Sequence, residues 1–388
     1  MLFRQQDFRA NPETALSATN SGKSTHRAPA LTYNRAMTEL DILLPFGLPP
    51  AELSADLLKE LNTPALSLLT SRAASGNIAH ETVEDFQPAL PHERWLADRF
   101  GLGKAMEKCG GPPIAQALMQ TMGIEPLPST WFVLQPVHIH IARDHLVLTD
   151  PRQLALSESE ARILFEIAAP LFDESGKRLL FGNTSTWFVD AGDWTSLRTS
   201  TPDAACGHNI DIWMPKGPEE RAWRKVQNEV QMHWFNHPVN EEREARRQRP
   251  VNSLWLWGGP SDLSTQVSGN YDKAFNLCGW MQAFRHGVPQ HSGARTASDM
   301  IPSLGVRNML LLDAPLEPAL ANDWARWLDA MKHMEEEWLA PVLQALRSGA
   351  IDRVSLIITH DTRISRFAAT RSSLRKFWIK PSLAPLCP

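Results

Sequence analysis

The chain has 388 residues, of which 43% are hydrophobic, and its formal net charge at pH 7 is −4. A chain of this length can bury the core of one large domain or of two ordinary ones. The small net charge gives no basic footprint for nucleic acid or an anionic membrane, and no apolar run reaches the roughly 18 residues of a membrane span. We therefore expect a globular protein without a nucleic-acid or membrane partner.

The four cysteines are scattered along the chain and form no Cys-x-x-Cys pair: Cys109, Cys206, Cys278 and Cys387. This usage is typical of a reducing compartment and disfavours both a disulfide framework and a thiolate zinc site. We therefore expect a cytoplasmic protein.

Residues 1–36 differ in composition from the rest of the chain. They are rich in Ser, Thr, Asn and Ala, and they have neither apolar periodicity nor the hydrophobic segment of a secretory signal. We expect a disordered or misassigned extension, with Met37 as the natural start. The string SGKST within it is not predicted to bind phosphate, because a phosphate-binding loop needs glycine five positions before Gly22, where Ser17 stands.

The first elements after this extension are read from the spacing of apolar residues. Residues 63–75 predict a short amphipathic helix, and residues 131–149 predict a hairpin that turns at Ala-Arg-Asp. Residues 156–172 predict a helix whose capping box is Ser157 and Glu160. The next predicted elements, in chain order, are a hairpin formed by KRLLFGN and STWFVDAG, a helix over 218–236 and a strand at SLWLWGG.

The last third of the chain predicts a strand–helix–strand unit. Residues 306–313 form an apolar strand, 322–349 a long helix with Gly349 as its C-cap, and 353–361 a returning strand. Such units are parallel, and ligands bind beyond the carboxyl ends of their strands. At those ends stand three residues of ligand type, Asp313, His360 and Asp361.

We expect an α/β fold with a mostly parallel central sheet flanked by helices. The core is predicted from residues 38–85 together with 250–388, and residues 86–249 are predicted to form an inserted α+β cap segment.

Several strings, in order, resemble archaeal-type cofactor-independent phosphoglycerate mutases of the alkaline phosphatase superfamily. NSLWLWGG resembles their Asn-x-Ile-Trp-x-Trp-Gly segment, and HPVNEER resembles their His-Pro-x-Asn-x-x-Arg, with Asn240 and Arg243 at the matching places. Weaker counterparts are TPALSLL, LLLDAPLEPAL and SLIITHDTR, so that the resemblance extends over most of residues 38–365. By these strings the chain also resembles a bacterial branch that carries the name regulatory protein RpfE.

The resemblance implies an alkaline phosphatase-like core, two divalent metal ions (manganese or zinc) and a serine nucleophile. The first aspartate of the family falls on Leu44 or Pro45, and the Asp and His of its Ala-Pro-Asp-Glu-Ala-Gly-His segment fall on Leu316 and Leu320. Leucine offers no lone pair to a metal. The closing Asp-His pair appears in reverse order as His360-Asp361, and no serine stands in a recognisable nucleophile motif, although Ser67, Ser71 and Ser75 lie near the expected region.

We therefore expect a catalytically degenerate protein with a regulatory or ligand-binding role, no cofactor, and a small molecule or a regulatory protein as its partner. The alternative is a metal-dependent phosphomutase or phosphatase that uses manganese or zinc at a rebuilt site of Asp313, His360 and Asp361. These three residues could also be a vestigial polar cluster. A third possibility is a purely structural, partner-binding protein, which would carry a large apolar patch.

Other candidates have simpler explanations. His138 and His140 share one face of a strand and could hold a metal with a third donor, or they could be ordinary polar strand residues. Arg243 could bind a phosphate or carboxylate with two hydrogen bonds, or it could belong to a solvated helix face. The tryptophans of the predicted long helix and of NSLWLWGGP are expected to pack in the core.

Overall fold

The computed structural model describes residues 36–73 and 78–387. The extension expected before Met37, its SGKST string and Ser75 lie outside the described residues, apart from Ala36. The strands, in chain order, are β1 (Glu39–Leu44), β2 (Ile78–Thr82), β3 (Trp131–Val137), β4 (Ile139–Ala142), β5 (His145–Leu148), β6 (Arg178–Asn183), β7 (Thr186–Asp190), β8 (Ser253–Ser261), β9 (Lys273–Phe275), β10 (Gln290–Ser292), β11 (Arg307–Leu311), β12 (Arg353–Thr359) and β13 (Arg363–Thr370).

The helices complete the mixed α/β class that the sequence predicts. They are α1 (Ser54–Glu60), α2 (Pro64–Ser71), α3 (Pro91–Arg99), α4 (Gly103–Cys109), α5 (Ala115–Thr121), α6 (Glu158–Glu174), α7 (Pro202–Ala205), α8 (Glu220–Phe235), α9 (Pro238–Ala245), α10 (Ala297–Met300), α11 (Leu316–Leu320), α12 (Trp324–Met334) and α13 (Ala340–Ser348). Among the described residues, no helix combines the length and the apolar character that crossing a membrane requires.

A seven-stranded sheet has the strand order β10-β9-β11-β1-β12-β13-β2. The five strands from β10 to β12 are parallel; β13 pairs antiparallel with β12, and β2 pairs antiparallel with β13. β1 lies between β11 and β12 and is apolar along most of its length because both of its faces are covered. The parallel arrangement of the strand–helix–strand unit is confirmed, with β1 inserted between its two strands.

A second sheet of four antiparallel strands has the order β6-β7-β3-β8. The sequence assigned β8 to the core that starts at residue 250, but β8 pairs with β3 in this second sheet. Its two faces pack in different clusters: Trp255 and Trp257 belong to the main core, while Leu254 and Leu256 belong to the core of the second sheet. A strand buried on both faces lacks the alternation that would have revealed its sheet. The role of residues 86–249 as a cap stays a prediction.

The hairpin expected over residues 131–149 forms differently. β3 stays in the second sheet, and a separate two-stranded hairpin of β4 and β5 follows it, turning at Arg143 with φ of 59°. The chain leaves the sheet at His138 because the Asn252 side chain bonds both the N–H and the C=O of Ile139. The hairpin of β6 and β7 and the capping box of Ser157 and Glu160 are confirmed.

The long helix predicted over 322–349 is interrupted by one wide π turn, Glu335–Leu339, between α12 and α13. This turn carries Glu335, whose carboxylate accepts hydrogen bonds from the N–H groups of Ala65 (2.5 Å) and Leu66 (3.0 Å) at the start of α2. A carboxylate at a helix N-terminus satisfies free N–H groups and the helix dipole. Gly349 ends α13 with φ of 84°, which confirms the predicted C-cap.

The glycines after Trp257 allow β8 to approach β3 closely. A Cβ atom on Gly259 would lie 2.4 Å from the carbonyl oxygen of Trp131. We predict that Gly259→Ala lowers the free energy of unfolding by roughly 1–3 kcal/mol, the usual cost of overpacking. Gly293→Ala is the control, because its Cβ would meet no atom within 4 Å. Urea unfolding measures both, and equal stabilities of the two variants would contradict the close approach.

Candidate functional site

A cavity of about 640 Å³ lies beyond the carboxyl end of β11. Its wall includes residues within 313–318, Cys278 and the start of the 3₁₀ segment Gly279–Gly287, and residues within 151–156 and 183–186. The position agrees with the rule that ligands bind beyond the carboxyl ends of parallel strands, and the volume is in the range of small-molecule sites.

Five charged side chains line this cavity, two guanidinium groups and three carboxylates: Arg152, Arg326, Asp203, Asp313 and Glu317. The remaining lining is partly apolar, with Trp280 and Met281 among its members, and partly uncharged and polar, with Gln135, Asn183 and Gln282. The site therefore has no excess of positive charge. It offers hydrogen bonds beside apolar surface.

Arg152 connects two buried aspartates at the wall of the cavity. Its Nε donates to Asp150 Oδ2 at 3.1 Å, while Nη1 and Nη2 donate to the two oxygens of Asp203 at 3.1 and 2.8 Å. Burial opposes its charge, but the two carboxylates raise the pKa of Arg152 above its ordinary value. Burial raises the pKa of Asp150, against the attraction of Arg152. The pair of bonds to Asp203 fixes α7 against the segment that follows β5.

A second cluster lies behind this wall. His92 and Glu93, in the first turn of α3, approach Asp203 so closely that one ligand atom of each residue lies within 4.8 Å of the others. Glu93 Oε2 accepts hydrogen bonds from the N–H of Leu90 and the hydroxyl of Thr201, both at 2.7 Å. Burial lowers the pKa of His92 to about 4, and burial together with Asp203 raises that of Glu93 to about 8.

A sequence signal exists for only one part of this cluster. Pro91 and Glu93, at the first and third positions of α3, are typical of a helix start. That signal does not extend to His92, and nothing in the sequence brings Asp203 to the same place. Sequence reasoning therefore missed the cluster.

The three strand-end candidates are only partly brought together. Asp313 lines the cavity and accepts a hydrogen bond from the Cys278 thiol at 2.9 Å; burial and this carboxylate raise the pKa of Cys278 to about 12. His360 and Asp361 are hydrogen-bonded to each other, and neither is among the described residues that line the cavity. β1 separates the two strands, which puts their ends roughly 9–10 Å apart, two strand spacings.

His360 is enclosed on its other side by an aromatic ring. The ring of Phe46, which follows β1, lies 5.3 Å from that of His360 and 6.1 Å from that of His92, between centroids. Burial raises the pKa of Asp361, but the hydrogen bonds from His360 and Thr362 outweigh it and lower the value to about 2. His360 is thus held by a carboxylate on one side and a phenyl ring on the other.

Arg243 and Asn240 lie in the interior. The Arg243 side chain is fully buried and donates to Glu160 and to the carbonyl oxygens of Leu154 and Arg249. Asn240 bonds the backbone of Trp234 and Val251. The sequence left open whether Arg243 binds a phosphate or carboxylate. In the structure its guanidinium joins α6 to α9, and because the side chain is 0% exposed it has no surface that a phosphate in solution could reach.

His138 and His140 share a face, as their spacing predicts, and their rings stack with 5.9 Å between centroids. His138 Nδ1 donates to the carbonyl oxygen of Pro250 at 2.8 Å, and His140 Nδ1 lies 3.3 Å from the Thr149 hydroxyl. Burial lowers the pKa of His138. Within residues 36–73 and 78–387, the group of three potential metal ligands lies elsewhere, at His92, Glu93 and Asp203.

The two-metal site that the sequence resemblance implies does not fit the residues at its expected positions. Leu44 is fully buried and Leu316 is 4% exposed, both within the main apolar core, and Leu320 packs against that core. These side chains fill the space with hydrocarbon and supply no donor atoms. Ser67 and Ser71, near the expected nucleophile, donate to backbone carbonyl oxygens one helical turn earlier.

The tryptophans of β8 support the cavity from behind. Trp255 Nε1 donates to the carbonyl oxygen of Ser200 at 2.9 Å, next to the Thr201 that holds Glu93. The ring of Trp257 meets that of Trp280, a lining residue, edge to face at 5.4 Å between centroids. The rings of Trp255 and Trp257 are buried, so these residues of β8 support the cavity and supply no reacting group.

Comparisons with known proteins find distant similarity. No family model matches the chain. The 2,3-bisphosphoglycerate-independent phosphoglycerate mutase of Methanosarcina mazei is 23% identical to it over 207 residues, which are 52% of this chain and 49% of that protein. The chain is a distant homologue of phosphoglycerate mutases of this type. It spans about half the length of this curated relative.

Two solved structures are similar over most of the chain. The cofactor-independent phosphoglycerate mutase from Thermoplasma acidophilum DSM 1728 is 13% identical, covering 90% of this chain and 94% of that one, with a TM-score of 0.43. The PH0037 protein from Pyrococcus horikoshii is 11% identical, covering 86% and 88%, with a TM-score of 0.47.

The Arg152 network predicts a measurable loss of stability. Arg152→Met leaves Asp150 and Asp203 buried without their cation, and we expect the free energy of unfolding to fall by roughly 3 kcal/mol. This value is at the low end of the cost of breaking a buried ion pair, because the Arg152 side chain is 36% exposed. Arg162→Met, which breaks an exposed pair with Glu158, should cost less than about 0.5 kcal/mol. Denaturant unfolding compares the two, and a loss at Arg152 no larger than at Arg162 would contradict the account.

Proposed function

We propose that this protein is a catalytically degenerate relative of cofactor-independent phosphoglycerate mutases that binds a small molecule in the cavity beyond β11. The observation that carries the proposal is Leu316. It lines the cavity and is buried there, at a position where the resemblance implies a metal ligand. A cavity that is retained while its ligand positions are apolar favours binding over metal-dependent phosphoryl transfer. The resemblance to the RpfE branch supports a regulatory role for that binding.

The lining indicates the chemical class of the ligand. A phosphoglycerate carries several negative charges, whereas this cavity has three carboxylates and two guanidinium groups, and the Arg152 guanidinium is bonded to two aspartates. Trp280 and Met281 offer apolar contact, and Gln135, Asn183 and Gln282 offer amide hydrogen bonds. We infer an uncharged or zwitterionic ligand with a mixed apolar and polar surface.

The cellular compartment and the protein partner are also part of the proposal. All four cysteines are free, and two of them, Cys109 and Cys206, are buried thiols whose pKa burial raises. Unpaired cysteines of this kind support a reducing compartment, the cytoplasm. A regulatory protein that recognises the ligand-bound form is the second partner that we propose.

The binding proposal predicts ligand-dependent stabilisation. In a thermal-shift screen of amino acids, polyols, nucleosides and phosphorylated compounds, we expect an uncharged or zwitterionic compound to raise the melting temperature of the wild type. Leu156→Trp, which places a large ring in the cavity wall, should abolish that shift, because the added ring occupies ligand space. Leu127→Trp, at a half-exposed position that is not in the lining, is the matched control. Stabilisation by phosphorylated compounds alone, or a shift that survives Leu156→Trp, would contradict the proposal.

The alternative is a metal-dependent phosphomutase or phosphatase that uses Asp313, His360 and Asp361. One observation favours it: His360 is hydrogen-bonded to the Asp361 carboxylate, an arrangement that can orient a catalytic imidazole. The distance between the ends of β11 and β12 weighs against it. A phosphatase and mutase screen with added manganese, comparing wild type with His360→Ala, separates the two functions. We expect no turnover in either protein, and turnover that His360→Ala abolishes would establish the alternative.

A further inference from the structure

We propose that His92, Glu93 and Asp203 bind one divalent transition-metal ion, zinc or manganese, behind the wall of the cavity. These residues are distinct from the strand-end positions at which the sequence resemblance implies metals. The inference does not rest on the proposed function, because it follows from the donor atoms of this cluster alone.

The first argument is the absence of partners in the interior. The His92 side chain is 0% exposed, and within the part of the chain that the structure describes neither of its ring nitrogens has a hydrogen-bond partner; Oε1 of Glu93 has none there either. Buried polar atoms are almost always satisfied, and each one left unsatisfied costs about 1–3 kcal/mol. A cation beside the Asp203 carboxylate accounts for Oε1 of Glu93 and for one of the two ring nitrogens of His92.

The second argument is charge. Asp150 and Asp203 are both bonded to the Arg152 guanidinium, and the Glu93 carboxylate lies beside Asp203. Coordination displaces the proton that burial favours on Glu93. With all three carboxylates then ionised, two negative charges remain beyond the one that Arg152 balances. A divalent ion balances both.

The third argument is that two of the ligands are already held in position. The Leu90 N–H and the Thr201 hydroxyl fix one oxygen of Glu93 and leave the other free, and Arg152 fixes Asp203. Outer contacts of this kind orient the ligands in metal sites. Bonds of about 2.0–2.2 Å allow two ligand atoms to be at most about 4.4 Å apart. The candidate ligand atoms of the three residues lie within 4.8 Å of one another, so small rotations of the side chains bring them to bonding distance of one ion.

The ligand set defines the class of ion. One imidazole and two carboxylates suit zinc or manganese better than calcium or magnesium, which prefer oxygen alone, and better than copper(I), which prefers sulfur. The three side chains are all buried, and three protein ligands leave the fourth position of a tetrahedral ion to another donor. The ion would join the start of α3 to α7 and stiffen the cavity wall that Asp203 forms.

The test uses the full chain, stripped with EDTA and then titrated calorimetrically with Zn²⁺ and Mn²⁺. We expect one site per chain in the wild type, and a rise in melting temperature on metal addition. Glu93→Gln keeps the shape of the side chain but loses an anionic donor, and it should weaken binding by at least about 100-fold. Thr201→Val, which removes only the hydroxyl that holds Glu93, should weaken it by about 10-fold.

His138→Asn and His140→Asn are the matched controls, since they alter the other candidate histidines and should leave the affinity unchanged. Circular dichroism shows which variants fold. The titration of the wild type tests whether a metal binds, whether or not the variants fold. Absence of binding to the wild type, or affinity that Glu93→Gln and Thr201→Val both leave intact, would overturn the assignment. Loss of binding in His138→Asn or His140→Asn would overturn the assignment and place the ion at those two histidines.

Discussion

The Arg152 guanidinium, held between Asp150 and Asp203, is the contact on which the candidate site depends. It fixes α7 to the segment after β5, and α7 in turn presents Thr201 and Asp203 to the first turn of α3. The same guanidinium faces the cavity, so one side chain defines both the cavity wall and the cluster behind it. Because its partners are buried carboxylates, this contact cannot open without leaving charge in the interior.

The cavity has the properties of a binding site, whereas the strand-end positions do not have those of a metal site. The space beyond β11 is open and lined by mixed polar and apolar groups, as a binding site requires. At the positions where the resemblance implies metal ligands, Leu44 and Leu316 instead extend the apolar core. Two metals held about 3.5–4 Å apart need several charged donors, and leucines cannot replace them. An open cavity with leucines at these positions is suited to recognition, which is the basis of the function proposed above.

Local patterns predicted much of the fold, because they depend on neighbouring residues. The capping box at Ser157, the Gly349 C-cap and the parallel strands β11 and β12 were all readable from spacing. The sheet of β8 was not, since Trp255 and Leu256 face two different cores and leave no alternation. The candidate site was harder to predict from the sequence than the fold. Asp313 could be placed at a strand end, but the meeting of His92, Glu93 and Asp203 depends on tertiary packing that no local spacing encodes.

The central claim is that metal chemistry has been lost from the strand ends and that the remaining metal-binding capacity lies at His92, Glu93 and Asp203. Anomalous diffraction at the manganese edge, on crystals soaked in Mn²⁺, locates each bound ion directly. The account predicts a single peak within bonding distance of those three side chains. A pair of peaks about 3.5–4 Å apart near Asp313 and His360, the spacing of a two-metal phosphoryl-transfer centre, would contradict it.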